Sequence, residues 1–375
     1  MTRFDQERMQ RQEQEQEKIR QETWPTLHGI PQLTGPTIPS AGRQFFSPSP
    51  STLLKIGADE GEDTMTVLGR SIVGPSVPRV DCIVTIPALE AHLEPQQGIL
   101  MSRQPGTPLV EIWPTLSPSQ RKSIKEELCR MLVRMRMPKF TYYGRPGRHP
   151  YTLLGVYSKE THAFCASRTE WDESRIQALR ASEAGAERIA ALEKVQRDTT
   201  GTPGWDRPVL THGDVSDRNI LIDPDTLAVT GFIDWEIANI MPAYFEYASA
   251  RLSEGHDPEW RVELLDVMRS VLRRECEAIS TDKGEQLYQK TLLAWDAMVD
   301  VERGIMNKIS RVEKNSKIHW TISSIIREKR LKCTASTVSE KPLVKNTDST
   351  ISETEKTGSG QETRRRNRKP ADQNP

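Results

Sequence analysis

Apolar residues follow two different patterns along the chain. In the first third, short apolar runs at residues 53–56, 80–86 and 98–101 lie between polar or turn-forming residues, which is typical of β-strands. From residue 117 onward, apolar residues recur at intervals of three and four, the spacing that places them on one face of a helix. The pattern predicts a small strand-rich part followed by a larger helical part.

The first long helix has a clear start signal. Ser117 can cap the helix, Pro118 suits its first turn, and Gln120 completes a capping box. Further helices are predicted for residues 170–198, 259–279 and 284–309. The stretch 210–233 between them instead carries two apolar runs and is predicted to form strands.

Composition changes towards both ends of the sequence. Residues 1–22 are almost entirely Gln, Glu, Arg, Lys and Asp, and residues 332–375 contain no aromatic side chain. The second segment cannot bury enough apolar surface to offset the entropy lost on ordering. The first is predicted to be disordered, with a solvated single helix as the alternative. The resulting prediction has four regions: a disordered arm (1–39), an N-lobe (40–102), a helical C-lobe (103–331) and a disordered tail (332–375).

Charge is balanced over the whole chain. The 52 basic and 52 acidic side chains give a formal net charge of zero, which argues against a strongly positive nucleic-acid surface. The basic run at residues 364–369 is interpreted as a solvated charged tail, with a nuclear-import or anionic-surface signal as the alternative. The sequence gives no indication of oligomeric state.

Compartment and membrane association follow from what the sequence lacks. No apolar run is long enough to span a membrane, and the first residues contain no apolar signal region. The five cysteines are scattered and odd in number, which fits a reducing compartment. We therefore expect a cytoplasmic, intracellular protein with neither a membrane nor a nucleic-acid partner.

The most informative stretch runs over residues 209–236. Two apolar strands flank a turn at 224–226 and are predicted to form a β-hairpin. Asp214 and Asn219 lie in the loop before the first strand, and Asp234 ends the second strand. The hairpin is therefore expected to bring two acids and one amide side chain to the same edge.

This set of side chains suits phosphoryl transfer. One Asp can align an attacking hydroxyl and accept its proton, while a second Asp and an Asn can hold Mg²⁺ through oxygen ligands. The spacing of His212, Asp214 and Asn219 matches the H-x-D-x-x-x-x-N catalytic loop of kinases. Asp234 then takes the place of the Asp in D-F-G.

The same residues resemble a known family. His212-Gly213-Asp214, Asn219 and the run Ile-Asp-Trp-Glu at 233–236 closely resemble the aminoglycoside phosphotransferase / choline kinase-like family, and more narrowly its fungal members. The resemblance extends over roughly residues 40–310. Neighbouring stretches that resemble the family are residues 54–57, 77–80, 99–101, 105–117 and 242–248.

The resemblance implies roles for the residues of the catalytic segment. Asp214 would be the catalytic base, and Asn219 and Asp234 would be the Mg²⁺ ligands. His212 would support the catalytic loop by packing beneath it. Trp235 is interpreted as a packing residue.

In the N-lobe, the resemblance implies a nucleotide site. Lys55 would hold the α- and β-phosphates of ATP, paired with a Glu of the next helix. Glu62 is the preferred partner, and Glu60 is the alternative. The backbone from Met101 to Arg103 would contact the adenine.

The implied fold is α+β and protein-kinase-like, with a small strand-rich N-lobe, a large helical C-lobe and the nucleotide in the cleft between them. The implied function is ATP- and Mg²⁺-dependent transfer of a phosphoryl group to a hydroxyl of a small molecule. A pseudokinase-like binding module is one alternative, because no Gly-rich loop precedes Lys55. Only residues 41–46 are available in its place. A protein kinase is another, although Gly213 stands where protein kinases carry Arg.

Residues outside these motifs are predicted to be structural. His149, His162 and His256 have no pattern of partners and are assigned to the surface or the core. Cys82 and Cys129 lie in apolar runs and are predicted to be buried and inert.

Overall fold

The computed structural model describes residues 19–35, 43–88, 94–154, 159–198, 205–253 and 256–306. The predicted disordered tail and its basic run lie outside these residues, as do residues 1–18 and 36–39 of the predicted arm. Across the described segments, every helix is too short or too polar to cross a membrane.

A five-stranded sheet forms the N-lobe. Its strands are β1 (Arg20–Thr23), β2 (Gln44–Ser49), β3 (Thr52–Ile56), β4 (Val80–Ile86) and β5 (Gln96–Ser102). They lie in the order β1-β4-β5-β3-β2, with β1 parallel to β4 and the other neighbours antiparallel. Helix α1 (Glu62–Val73) connects β3 to β4. The three strands predicted from short apolar runs are confirmed.

The prediction of a disordered arm at residues 1–39 is wrong for its described part, residues 19–35. Strand β1 pairs in parallel with residues 82–85 and forms one edge of the sheet. Main-chain pairing needs no apolar side chain, so a polar composition concealed this strand. The apolar residues that follow it pack against the core of the sheet: Trp24, Leu27 and Ile30.

The C-lobe is mainly helical. Its helices are α2 (Leu109–Ile112), α3 (Pro118–Arg136), α4 (Arg168–Arg180), α5 (Ala186–Gln196), α6 (Phe245–Leu252), α7 (Pro258–Ile279) and α8 (Gly284–Met306). Its strands are β6 (Thr107–Pro108), β7 (Tyr151–Leu154), β8 (Lys159–His162), β9 (Pro208–Thr211), β10 (Ile220–Ile222), β11 (Val229–Phe232) and β12 (Asn239–Pro242). The α+β, protein-kinase-like fold with a strand-rich N-lobe and a helical C-lobe is confirmed.

Two of the helix predictions had different outcomes. Helix α3 begins with the predicted capping box: Ser117 Oγ accepts from the Gln120 amide at 3.4 Å, and Gln120 Oε1 accepts from the Ser117 amide at 2.9 Å. The single helix predicted at 170–198 is instead divided into α4 and α5 by residues 181–185. This segment contains Ser182 and Gly185, residue types that weaken a helix interior.

The hairpin predicted from the central apolar runs is confirmed. Strands β10 and β11 pair antiparallel, with Ile220 opposite Phe232. Asp223 closes the turn, because its Oδ1 accepts from the amides of Asp225 and Thr226, each at 2.9 Å. The loop before β10 and the end of β11 consequently meet at one edge, where the candidate site lies.

Candidate active site

A buried ion cluster connects the two lobes around Lys55. Lys55 Nζ lies 2.8 Å from Glu62 Oε1 and 2.7 Å from Asp234 Oδ1. It also lies 3.2 Å from Glu236 Oε2, which Arg43 Nη2 contacts at 2.6 Å. Since Glu62 lies in α1 and Asp234 follows β11, one lysine joins a strand, a helix and the hairpin.

Of the two candidate partners of Lys55, Glu62 and Glu60, it is Glu62 that contacts the lysine. Glu62 is 2% exposed and hydrogen-bonds Lys55 within the cluster. Glu60 is exposed, and its backbone carbonyl accepts a hydrogen bond from the buried guanidinium of Arg145. Arg145 also donates to the carbonyl of Glu236, so it fastens the start of α1 to the chain that follows Asp234.

Burial and opposite charge compete at Lys55, Glu62 and Asp234. Burial alone would lower the pKa of Lys55, but the surrounding carboxylates, Glu62 first, outweigh it and raise that pKa. Burial raises the pKa of Glu62 to about 7, although Lys55 acts against this. For Asp234, the nearby Lys55 ammonium outweighs burial and holds the pKa below its ordinary value. The cluster therefore keeps Lys55 charged and Asp234 ionised.

The backbone turns sharply at Asp234. Its φ is +67°, in the left-handed region that a non-glycine residue enters only at a cost. On its N-terminal side, the Ile233 amide donates to the Asn219 carbonyl at 2.9 Å. On its C-terminal side, Trp235 packs beneath α1, where a Cβ on Gly69 would lie 2.6 Å from the indole ring. These contacts fix the Asp234 backbone against both the catalytic loop and the N-lobe helix.

The loop before β10 is held from below by Glu246 at the start of α6. Its two carboxylate oxygens accept from the amides of His212, at 2.6 Å, and Gly213, at 2.9 Å. Burial raises the pKa of Glu246 to about 7, although the two amide hydrogen bonds act in the opposite direction. Gly213 has φ +81°, and a Cβ there would lie 2.8 Å from the Ile237 carbonyl oxygen, so the turn requires glycine.

His212 lies fully buried beneath the loop. Its ring stacks on Phe232 with centroids 4.3 Å apart and meets the edge of Trp235 at 4.9 Å. Nε2 lies 3.0 Å from the Ile233 carbonyl oxygen, and Nδ1 accepts from the Asp214 amide at 3.3 Å. Burial lowers the pKa of His212, which favours the neutral ring that these two partners require.

Asp214 receives hydrogen bonds at both carboxylate oxygens. Asn219 Nδ2 donates to Asp214 Oδ2 at 3.1 Å and to the Asp214 carbonyl at 3.0 Å. His256 Nε2 lies 2.8 Å from Asp214 Oδ1. Since Asn219 uses its amide nitrogen for Asp214, its carbonyl Oδ1 is the atom with which it can bind a cation.

The segment expected to contact adenine already has main-chain partners. Met101 lies in β5 and is paired with Leu53 of β3 on one side and with Val80 of β4 on the other. The Arg103 amide donates to the Ser51 carbonyl at 2.8 Å. An adenine contact through that amide would replace this hydrogen bond, so the role of Arg103 stays a prediction.

A cavity of about 290 Å³ opens beside Asp214 in the C-lobe. Apolar side chains from several elements line it, including Leu153, Phe245 and Ile305. Glu160 and Arg218 add charge to its wall. The candidate base therefore faces a concave space with a largely apolar lining.

The sequence-predicted residues form two groups. Lys55, Glu62 and Asp234 make up the ion cluster, and His212, Asp214 and Asn219 share the loop. A backbone hydrogen bond from the Ile233 amide to the Asn219 main-chain carbonyl joins the two groups. The oxygen atoms of Asn219 and Asp234 are of the kind that Mg²⁺ binds, and the low pKa of Asp234 provides an anionic ligand.

Comparison of the sequence with models of protein families identifies the family of this chain. The model described as "Phosphotransferase enzyme family" matches residues 63–276, which include the hairpin, its loop and most of the C-lobe. The chain belongs to the phosphotransferase enzyme family. A search among curated proteins gives no significant match to this phosphotransferase family member.

Several solved structures are similar to this chain. One is an aminoglycoside phosphotransferase from Streptomyces rimosus, at 17% identity over 75% of this chain and 93% of that one, with a TM-score of 0.37. A macrolide 2'-phosphotransferase from Brachybacterium faecium shares 13% identity over 84% and 97%, with a TM-score of 0.37. An ethanolamine kinase from Plasmodium vivax shares 11% identity over 82% of each chain, with a TM-score of 0.38.

Three residues of the candidate site were not identified from the sequence. Arg43 contacts Glu236 from the strand-rich lobe, Glu246 supports the loop, and His256 contacts Asp214. His256 is buried, in keeping with its assignment to the surface or the core, but its contact with Asp214 was not predicted. His256 is 42 residues from Asp214 in sequence, so no local spacing signals the contact.

Proposed function

We propose that this chain transfers the γ-phosphoryl group of ATP to a hydroxyl group of a small molecule. The hairpin is the observation that carries the proposal. The loop before its first strand holds Asp214 and Asn219, and Asp234, which follows its second strand, is hydrogen-bonded to Lys55. Membership of the phosphotransferase enzyme family supports the same reaction class.

In this proposal Asp214 is the base. It aligns the acceptor hydroxyl and takes its proton as the hydroxyl oxygen forms a bond to the γ-phosphorus. The bond between that phosphorus and the bridging oxygen breaks, and ADP leaves. Asn219 and His256 each contact one of its two carboxylate oxygens.

Lys55 is assigned to the α- and β-phosphates. It carries a buried positive charge that three carboxylates now surround. On nucleotide binding, phosphate oxygens would replace part of this shell, while Glu62 keeps the ammonium in place. Arg43 is close enough to the same cluster to approach a phosphate once it leaves Glu236.

Asn219 and Asp234 are assigned as the Mg²⁺ ligands. When bound, the cation supplies neutralisation of the charge on the transferring phosphoryl group. The residues of this chain orient the site: Asn219 is held by Asp214, and Asp234 is held by Lys55 and by its fixed backbone turn.

The cavity beside Asp214 is assigned to the acceptor. Its volume of about 290 Å³ is at the small end of the range for ligand pockets, which suits a small molecule better than a protein loop. The combination of apolar walls with Glu160 and Arg218 fits an acceptor with both apolar and polar parts.

A screen of hydroxyl-bearing small molecules for acceptor-dependent ATP consumption tests the proposal. We expect at least one compound to stimulate consumption by the native chain and none to stimulate Asp214→Asn. Nucleotide binding without turnover on any acceptor would instead support the binding-module alternative. Phosphorylation of proteins but of no small molecule would support a protein kinase.

A further inference from the structure

His256 lies against the candidate base but belongs to no motif of the sequence. Its Nε2 is 2.8 Å from Asp214 Oδ1, and both residues line the acceptor cavity. The His256 side chain is 3% exposed, whereas that of Asp214 is 22% exposed. The imidazole is therefore more deeply buried than the carboxylate, which stays partly accessible.

The backbone on either side of the contact is fixed. Asp257, the next residue, caps α7: its Oδ1 accepts from the amides of Glu259, at 2.9 Å, and Trp260, at 3.4 Å. The Trp260 indole Nε1 donates to the carbonyl of Val215, directly after Asp214, at 2.9 Å. The start of α7 and the catalytic loop are thus tied together beside the contact.

The chemistry of the pair identifies which nitrogen carries the proton. An ionised carboxylate can only accept hydrogen bonds, so His256 Nε2 must be protonated to bond Asp214. His256 Nδ1 is buried and has no hydrogen-bond partner among the described residues. The tautomer with its proton on Nε2 therefore satisfies the contact with Asp214 and leaves no buried N–H donor unpaired at Nδ1.

We propose that His256 is a positioning residue that orients the Asp214 carboxylate towards the acceptor hydroxyl; this rests on the proposed function. His256 holds Oδ1 while Asn219 holds Oδ2 at 3.1 Å. Two donors from different parts of the chain thereby fix the rotation of one carboxylate. The remaining lone pairs stay directed at a position that the acceptor hydroxyl can reach.

Two amide substitutions separate this role from simple packing. In His256→Gln, the amide nitrogen is as many bonds from Cα as the imidazole Nε2, so it can still donate to Asp214. In His256→Asn, the nitrogen matches the position of Nδ1 and falls short. We expect His256→Asn to lose about 10- to 100-fold in kcat, as is typical for loss of a supporting hydrogen bond at a site.

The two variants are compared by kcat, by KM for the acceptor and by nucleotide-induced thermal stabilisation. The proposal expects His256→Gln to recover most of the lost kcat, with KM and nucleotide stabilisation unchanged in both variants. A native kcat in His256→Asn would overturn it. Equal losses in both variants, or loss of nucleotide stabilisation, would also overturn it, because neither depends on a donor at the Nε2 position.

A second measurement does not require activity. Hydrogen–nitrogen correlation NMR of the side chains of the 7 histidines reports the tautomer of each ring. We expect His256 to be protonated at Nε2, and its signals to shift in Asp214→Asn. An Nδ1 tautomer, or signals unmoved by that substitution, would overturn the positioning role. Absence of phosphoryl transfer by the native chain alongside the expected NMR result would refute the proposed function alone.

Discussion

Lys55 Nζ lies 2.7 Å from Asp234 Oδ1, so a strand of the N-lobe and the end of a C-lobe hairpin share one ion pair. Both side chains are largely buried, and burial makes it costly to separate them without a substitute charge. In the proposed function, a nucleotide with its cation would supply such charges to both partners. The contact therefore marks where the proposed phosphate and metal sites meet.

Replacing Glu62 tests the assignment of Lys55 to the phosphates. In Glu62→Gln, Lys55 loses its buried helix partner, and we expect a roughly 10- to 100-fold rise in KM for ATP. Glu60→Gln is the matched control, because the Glu60 side chain is exposed and only its backbone carbonyl is used. Steady-state kinetics with varied ATP measures both. Equal KM values in the two variants would contradict the assignment.

Replacing Asp234 tests the metal site. Asp234→Ala removes the proposed anionic ligand, and we expect loss of the Mg²⁺-dependent part of nucleotide stabilisation in a thermal-shift titration. Asp225→Ala, in the exposed turn of the same hairpin, should keep that stabilisation. Native Mg²⁺ dependence in Asp234→Ala would show that the ligand lies elsewhere.

The raised pKa of Glu246 gives a dependence of stability on pH. Its folded-state pKa of about 7 exceeds the unfolded value of 4.5, so the folded state binds the proton more tightly. Stability is therefore lost as pH rises between these values, by an amount on the order of 3 kcal/mol. In Glu246→Gln this loss should be absent.

Denaturant unfolding at several pH values measures the effect. The free energy of unfolding of the native chain, minus that of Glu246→Gln, should fall as pH rises from about 4.5 to 7. Glu277→Gln, an exposed change in α7, should run parallel to the native chain. A constant difference between the native chain and Glu246→Gln would mean that burial does not perturb this carboxyl.

Gly213 tests the geometry of the catalytic loop. Ala at this position must adopt φ +81° with its Cβ 2.8 Å from a carbonyl oxygen, and we expect a loss of about 1–3 kcal/mol in unfolding free energy. Gly185 has a negative φ and open space where a Cβ would lie. In Gly185→Ala, a less favourable helix N-cap and a less flexible unfolded chain oppose each other, so the unfolding free energy should change by no more than about 0.5 kcal/mol. Equal urea midpoints for the two variants would refute the strain.

The parts of the site that follow from sequence are those that lie close together in the chain. Two apolar runs on either side of a turn predicted the hairpin, which brings Asn219 near Asp234 through the pairing of Ile220 with Phe232. Lys55 and Glu62 are 7 residues apart, so a strand followed by a helix places them within reach. Local pattern predicted the hairpin, whereas the pairing of Lys55 with Glu62 was implied by the family resemblance.

The remaining contacts depend on tertiary packing. Arg43 meets Glu236 across 193 residues, and His256 meets Asp214 across 42 residues, with no periodicity to signal either. Strand β1 was missed because its stabilising contacts are main-chain hydrogen bonds to β4. The break between α4 and α5 depends on weak helix propensity over only a few residues.

Phosphorus NMR of the native chain with ATP, Mg²⁺ and an acceptor found in the screen tests the central proposal most directly. The account predicts that the γ-phosphate signal is replaced by that of a phosphomonoester of the acceptor, and that Asp214→Asn forms none while still binding nucleotide. A γ-phosphate converted only to inorganic phosphate, or equal phosphomonoester formation by Asp214→Asn, would contradict it.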